Sequence, residues 1–148
     1  MSRLTTALIT GASEGIGRCF AEIYAKNGHD LVLVARNATK LMDFAAELKA
    51  KYSVDVHVFA ADLIPVDAAQ KLFDAITLKE IEIDILVNNA GMMQVEKLNL
   101  SDSQQLNNLL QLNVQSLVNM TQQFVNPMLA RGQGKIVNIG SIASFMPT

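Results

Sequence analysis

The 148-residue sequence contains no tryptophan, three prolines and a single cysteine, Cys19. With one cysteine the chain cannot form an internal disulfide or a metal site built from several cysteines, so we expect a reducing compartment and no metal. Aromatic residues make up only 5% of the sequence, which leaves few rings on which nucleic-acid bases could stack. No apolar run reaches the roughly 18 residues that predict a transmembrane helix.

The net charge of the chain also bears on which partners can be expected. A net charge of −2 gives no electrostatic reason to expect nucleic acid or an anionic membrane as a partner. Hydrophobic residues reach 50% and charged residues 18%, which is typical of a chain that packs a core, and the length predicts one domain over 1–148. The N-terminal segment carries one positive charge and too short an apolar run for a signal peptide, so we predict a cytoplasmic location.

Short apolar runs alternate with stretches of helical spacing along the chain. The runs predict strands at 5–10, 30–35, 54–60, 83–91 and 135–141. Helical spacing predicts helices at 15–26, at 38–50, from Pro65 onward and at 102–126. Pro127 should kink or end the last of these helices. This alternation predicts a doubly wound α/β fold, a Rossmann-like parallel sheet with helices on both faces and strand order 3-2-1-4-5. Such sheets bind ligands at the carboxyl ends of their strands.

Two helices show an apolar spacing that predicts a buried face. On the first helix, the residues expected to face the core are Ile16, Phe20 and Ile23. On the long helix they are Leu106, Leu110, Val114, Leu117 and Phe124.

A glycine-rich segment, TGASEGIG at 10–17, follows the first predicted strand and opens the first helix. Glycine there permits a tight turn, close approach of the backbone to a pyrophosphate and close packing of helix on strand. The helix N-terminus offers free N–H groups to the phosphates. The spacing is Gly-x-x-x-Gly-x-Gly, which differs from the common dinucleotide fingerprint. A plain tight loop is the alternative interpretation.

The second strand ends in Ala35 and Arg36, where a fold that prefers NAD usually carries an acidic residue for the ribose 2′-hydroxyl. A guanidinium suits a 2′-phosphate through charge-assisted hydrogen bonds, and Ser13 could add a donor. The sequence therefore predicts NADP rather than NAD. Glu14 lies nearby and argues mildly against an anion site, and Arg36 as a solvated strand-end charge is the alternative.

Polar residues also follow the third, fourth and fifth strands. Asp62 could accept a hydrogen bond from an adenine amino group, or it could cap the next helix. The NNAG segment at 88–91 could separate the sheet from a ligand or be structural. The hydroxyl of Ser141 would point into the same crevice, although a serine there is also typical of a cap or turn.

Together TGASEGIG, ADL, NNAG, a lone asparagine inside the long helix and NIGSIAS resemble the short-chain dehydrogenase/reductase family, over essentially the whole chain. The resemblance implies one NAD(P)-binding domain that moves a hydride between the nicotinamide and a small-molecule carbonyl or alcohol substrate. The cofactor-binding residues it implies are Gly11, Ser13, Gly15, Ile16, Gly17, Arg36, Asp62, Leu63, Asn89, Ala90 and Gly91. The catalytic residues it implies are Asn113 and Ser141, with the serine hydrogen-bonded to the substrate oxygen.

The family's catalytic group also contains a Tyr-x-x-x-Lys pair beyond that serine, which this sequence lacks. Its tyrosines are Tyr24 and Tyr52, and neither has a lysine four residues on. A phenol tuned by a neighbouring ammonium serves as the general acid and base, worth about a hundred- to ten-thousand-fold in rate. We therefore expect the 148 residues alone to be nearly inactive. They would be a fragment, a truncated product or the ordered part of a longer protein.

Three functions follow from these observations. The first is an NADP-linked reductase, complete in its parent protein, which the resemblance implies to be a homodimer or homotetramer. The second is a nucleotide-binding module without catalysis, and the third is a structural fragment that binds nothing well. In the first case the segment missing here would cover part of the sheet and the long helix, so an exposed apolar patch of about a few hundred Å² is expected.

Overall fold

The computed structural model describes residues 5–94 and 98–145. Its strands form one parallel sheet of five in the order β3-β2-β1-β4-β5, which confirms the predicted topology. The strands are β1 (Thr6–Thr10), β2 (Asp30–Ala35), β3 (Val56–Ala60), β4 (Ile85–Asn88) and β5 (Lys135–Asn138). The order reverses direction at β1, so the crevice outside the carboxyl ends of β1 and β4 is the topological switch point of the sheet.

Helices connect the strands. They are α1 (Gly15–Lys26), α2 (Ala38–Tyr52), α3 (Ala68–Thr77), α4 (Ser103–Leu110) and α5 (Ser116–Arg131). A single π-helical turn, Gln111–Gln115, joins α4 to α5, and short 3₁₀ turns lie at Leu98–Leu100 and Ile142–Phe145.

The core lies in two layers, one on each face of the sheet. Leu8 and Ile9 are adjacent on β1 and both fully buried, but they belong to opposite layers because successive strand residues point to opposite faces. Ile9 packs in the layer that contains Phe44 of α2, and Leu8 in the layer that contains Phe124 of α5. Burial on both faces fixes β1 at the centre of the sheet and therefore fixes the loop that follows it.

The inward face of α1 differs in part from the prediction, although Phe20 does pack against the core as expected. Ile16 and Ile23 are each 58% exposed, whereas Gly17, Ala21 and Ala25 are buried. Small residues at four-residue spacing let the helix backbone lie close to the sheet, and the larger side chains are turned outward. Close packing of α1 brings its N-terminus directly above the end of β1.

The long helix predicted at 102–126 is interrupted by the π turn at Gln111–Gln115. The extra residue of a π turn rotates the following helix relative to the preceding one. Leu110, just before this turn, and Val114, inside it, were predicted to be inward but are 56% and 55% exposed. After the turn, burial follows a regular four-residue spacing at Ser116, Met120, Phe124 and Met128.

Pro127 does not end the long helix, and Pro65 does not lie in the first turn of α3. α5 continues through Pro127 to Arg131, because the buried Phe124 and Met128 on either side hold the helix against the sheet despite the missing hydrogen bond. α3 begins at Ala68 rather than in the turn that contains Pro65, whose carbonyl accepts a hydrogen bond from the Ala68 amide at 3.0 Å.

Two further findings concern the described ranges 5–94 and 98–145. No helix within them is long and apolar enough to cross a membrane. The same residues bring together no group of three or more His, Cys, Asp or Glu side chains suited to a metal ion.

Candidate nucleotide-binding site

A cleft of about 610 Å³ opens at the carboxyl ends of the central strands. It lies where the loops after β1, β2, β3 and β4 meet. The predicted cofactor residues that line it are Gly11, Ser13, Arg36, Asp62, Leu63, Asn89, Ala90 and Gly91. The fold thus gathers residues from four separate segments of the chain around one opening.

The loop after β1 is tied to the end of β4 by Thr10 and Asn89. The Thr10 hydroxyl accepts hydrogen bonds from the backbone amides of Asn89 and Ala90, each at 2.9 Å. The Asn89 side chain donates from Nδ2 to the Thr10 carbonyl at 2.9 Å. Asn89 is therefore a clamp on the glycine-rich loop, and Thr10 is a residue that the sequence analysis missed. Its position directly before the first glycine was the available signal.

Two glycines are required by close contacts in this loop. Gly11 has a positive φ of 65°, and a Cβ there would lie 2.8 Å from Asn89 Nδ2. A Cβ on Gly17 would lie 2.3 Å from the Gly11 carbonyl oxygen, a distance at which the backbone would have to move. Any side chain at position 17 would thus push the start of α1 away from the end of β1.

The N-terminus of α1 adjoins the same cleft, whose wall includes Ser13 and Glu14 but not Gly15, Ile16 or Gly17. Its cap residue Glu14 makes no side-chain hydrogen bond to the first turn, and that turn carries no acidic residue. Gly15, Ile16 and Gly17 form the turn, so it can offer backbone N–H groups to an anion. The predicted role of Ile16 can only be a backbone one, because its side chain points outward and does not line the cleft.

The loop after β2 places cations at the cleft. Arg36 is exposed, and within the described residues its guanidinium has no hydrogen-bond or ion-pair partner. Asn37 caps α2 by accepting a hydrogen bond from the Lys40 amide at 3.0 Å. This cap fixes Lys40 on the cleft wall, where its ammonium lies 3.2 Å from Glu14. The sequence analysis missed Lys40, because an asparagine three residues before it indicates the start of a helix but not a position on the cleft wall.

The loop after β3 contributes one polar and one apolar group. Asp62 is exposed, and its Oδ1 accepts a hydrogen bond from the Ile64 amide at 3.1 Å. This bond turns the chain toward α3 and leaves the carboxylate at the cleft. Leu63 is only 5% exposed and lines the cleft as an apolar surface.

Asn113 lies in the π turn and does not line the cleft. Its side chain binds the backbone of Met92 in both directions: Oδ1 accepts from the Met92 amide at 2.8 Å, and Nδ2 donates to the Met92 carbonyl at 2.7 Å. The same Oδ1 would lie 3.3 Å from a Cβ on Gly91. Asn113 therefore holds the segment that leaves the NNAG motif.

Ser141 lies beyond the end of β5 and is exposed, so it is not the last residue of that strand as the sequence suggested. Its hydroxyl accepts a hydrogen bond from the Ala143 amide at 3.1 Å, and its carbonyl accepts one from the Ser144 hydroxyl at 2.6 Å. These bonds cap the short 3₁₀ turn Ile142–Phe145. The structure does not bring Ser141 to the wall of the cleft.

A parallel sheet with a glycine-rich β1–α1 loop and a polar cleft at its switch point defines the class of doubly wound nucleotide-binding domains. The family model described as short chain dehydrogenase matches residues 5–148. The chain belongs to the short-chain dehydrogenase/reductase family, as the motifs predicted.

Comparison with individual relatives supports the same family. The chain is 35% identical over 147 residues to the very-long-chain 3-oxoacyl-CoA reductase of Homo sapiens, covering 95% of this chain and 46% of that protein. The short-chain dehydrogenase of Sphingobium yanoikuyae, solved in complex with NADPH, superimposes with a TM-score of 0.90 at 40% identity, covering 97% of this chain and 56% of that one. The bulky-bulky ketone specific alcohol dehydrogenase of Comamonas testosteroni gives a TM-score of 0.91 at 36% identity, covering 99% and 58%.

The chain thus spans about half the length of the curated relatives it matches. The shared half contains the whole five-stranded sheet and the cleft described above.

Proposed function

We propose that this chain is the NADP(H)-binding part of an oxidoreductase that transfers a hydride between nicotinamide and a carbonyl or alcohol substrate. The observation that carries the proposal is the cleft at the strand ends, which combines an open helix N-terminus with the unpaired guanidinium of Arg36. Relatives described as acting on 3-oxoacyl-CoA or on bulky ketones support a carbonyl substrate.

The residues present fit a dinucleotide. Without a Cβ at Gly11 or Gly17, the loop packs directly against Asn89, and α1 begins close to the end of β1, as a dinucleotide-binding turn requires. The α1 N-terminus favours the negative charge of a pyrophosphate. In this proposal Asp62 accepts a hydrogen bond from the adenine amino group, and Asn89, Ala90 and Gly91, which line the same cleft, border the adenine-side ribose.

Arg36 supports NADP over NAD. A phosphate monoester carries close to two negative charges at neutral pH and accepts paired hydrogen bonds from a guanidinium. Neighbouring structures described in complex with NADPH belong to the same fold and family. The role of Arg36 is thus to bind the group that distinguishes the two cofactors.

For the chemistry, the bound nicotinamide supplies or accepts the hydride. Ser141 would donate a hydrogen bond to the substrate oxygen, which requires its hydroxyl to turn from the 3₁₀ cap toward substrate. Asn113 would fix the segment around Met92 beside the site. Within the printed sequence neither Tyr24 nor Tyr52 forms a Tyr-x-x-x-Lys pair, so we expect these 148 residues to bind cofactor and to turn over substrate very slowly.

The test is to titrate NADPH and NADH into the wild-type chain and into Arg36→Ala. We expect NADPH to bind about tenfold or more tightly than NADH, since a charge-assisted pair contributes roughly 1.5–3 kcal/mol. Arg36→Ala should remove most of that preference and leave NADH binding unchanged. Lys71→Ala is a matched control, because Lys71 is an exposed cation on α3 that pairs with Asp67 outside the cleft.

Equal losses of NADPH and NADH affinity in Arg36→Ala would contradict the assignment of the 2′-phosphate to this residue. A non-catalytic nucleotide-binding module is the second candidate, favoured by the position of Ser141 outside the cleft wall, whereas catalysis would need a Tyr-x-x-x-Lys pair. The two are separated by assaying carbonyl reduction in a protein that includes such a pair. The cytoplasmic location and the homodimeric or homotetrameric parent protein stay predictions.

A further inference from the structure

Glu14 and Lys40 form an ion pair at the mouth of the cleft. Lys40 Nζ lies 3.2 Å from Glu14 Oε2, and the two side chains are 57% and 76% exposed. The residues are 26 positions apart, so the pair links the β1–α1 loop to the first turn of α2. Both residues line the same cleft as Arg36.

Neither side chain makes a hydrogen bond that caps the helix on which it lies. Glu14 occupies the cap position of α1, yet its carboxylate turns away from the helix toward Lys40. Lys40 lies in the first turn of α2, and a cation there opposes the positive end of the helix dipole. An exposed ion pair stabilises a fold by only about 0–1 kcal/mol, so folding stability does not account for the placement of Lys40.

The charges around the cleft explain the placement of Lys40 better than folding stability does. Without cofactor, the carboxylate of Glu14 neutralises Lys40, and Arg36 alone gives this wall of the cleft a positive charge. A phosphate monoester brings close to two negative charges and therefore competes with a single carboxylate for the ammonium. A lysine side chain can make this exchange because its ammonium is a point charge on a flexible stem.

We infer that Lys40 is a second cation for the cofactor's 2′-phosphate and that Glu14 is its competitor in the empty cleft. Lys40 leaves Glu14 and joins Arg36 when the phosphate enters. Glu14 thereby sets the size of the preference for NADP over NAD, because each NADP bound must displace it from Lys40. The inference deepens the proposed function and rests on it.

The test compares the ratio of NADPH to NADH affinities, measured by calorimetric titration, in Lys40→Met, Glu14→Gln and the double variant. Lys40→Met should lower the ratio about tenfold, because it removes one charge-assisted contact to the phosphate. Glu14→Gln should raise the ratio about two- to fivefold, because Lys40 is then free before the phosphate arrives. The double variant should bind NADPH more tightly than Lys40→Met alone, because the unshielded carboxylate is gone.

The controls are Lys71→Met and Asp67→Asn, which break a comparably exposed ion pair at the start of α3 and should leave the ratio unchanged. Thermal melting followed by circular dichroism shows whether each variant is folded. A ratio within twofold of wild type in Lys40→Met, with Arg36→Ala still abolishing the preference, would overturn this inference and leave the proposed function standing. Reduced NADPH affinity in Glu14→Gln would also overturn it. If the wild-type protein showed no preference for NADPH, both this inference and the proposed preference for NADP would be wrong.

Discussion

The side-chain amide of Asn113 and the backbone of Met92 are joined by two hydrogen bonds, at 2.8 and 2.7 Å. One residue belongs to the π turn between α4 and α5, and the other to the segment after the NNAG motif. A side-chain amide carries an acceptor and a donor side by side, so it can satisfy the amide and the carbonyl of the same residue. This pairing links the helix layer to the rim of the cleft.

Asn113→Asp tests that link. The carboxylate keeps the acceptor for the Met92 amide but loses the donor and faces the Met92 carbonyl. We expect the free energy of unfolding to fall by about 1–3 kcal/mol, the cost of leaving a polar group unpaired. Amide exchange at Met92, measured by NMR, should become faster.

Asn107→Asp is the matched control for Asn113→Asp. Asn107 is an exposed asparagine of α4, so its substitution should leave both the unfolding free energy and exchange at Met92 unchanged. Similar effects of the two variants would show that Asn113 has no special role.

Gly17→Ala should damage the loop and the site together. The new Cβ would lie 2.3 Å from the Gly11 carbonyl oxygen, so α1 must move away from the end of β1. We expect a loss of about 1–3 kcal/mol in the free energy of unfolding, typical of overpacking, with NADPH binding weakened at least roughly tenfold. Urea unfolding and titration measure the two effects.

Gly140→Ala is the control for Gly17→Ala, because a Cβ at Gly140 meets nothing within 4 Å. Unfolding free energy and NADPH affinity should both stay at their wild-type values. If Gly17→Ala behaved like this control, the close approach of α1 to β1 would be wrong.

His57 on the edge strand β3 should make stability depend on pH. Burial lowers the pKa of this imidazole from its ordinary 6.5, and Lys49 and Lys79 lower it further, while Asp55 and Asp30 act in the opposite direction. The unfolded chain therefore binds the proton more readily than the folded one. The contribution is fully present above pH 6.5 and is lost as the pH falls through the folded pKa.

Urea unfolding of wild type and His57→Gln between pH 7.5 and about 5 measures this contribution. Wild type should lose more stability than the variant over that range, because glutamine does not titrate. Parallel pH profiles for the two proteins would mean that His57 does not have the lowered pKa.

Sequence periodicity was sufficient for the order of the sheet but not for the orientation of its helices. Continuous apolar runs such as LVLV in β2 are typical of strands buried on both faces, and their alternation with helices allows few topologies. On α1, apolar spacing pointed to Ile16 and Ile23, whereas the contact is made by Gly17, Ala21 and Ala25. Hydrophobicity alone cannot reveal that closeness of approach decides which face packs.

The candidate site also contains some residues that the sequence could predict and one that it could not. Gly11, Arg36, Asp62 and Asn89 could be predicted because each follows a strand, and parallel strands end at one edge of the sheet. Lys40 could not be predicted as a site residue. It reaches the cleft through a helix cap and an ion pair with Glu14, and the ion pair depends on tertiary structure.

The most direct test of where the cofactor binds is an NMR titration of the ¹⁵N-labelled protein with NADPH. We expect the largest amide shift changes in the segments 10–17, 35–37, 61–63 and 89–91, which surround the cleft. The groove between α3 and α5 that Phe73, Ile81 and Pro127 line should change little. Largest changes in that groove, or no changes at the strand ends at saturating NADPH, would contradict the cofactor site.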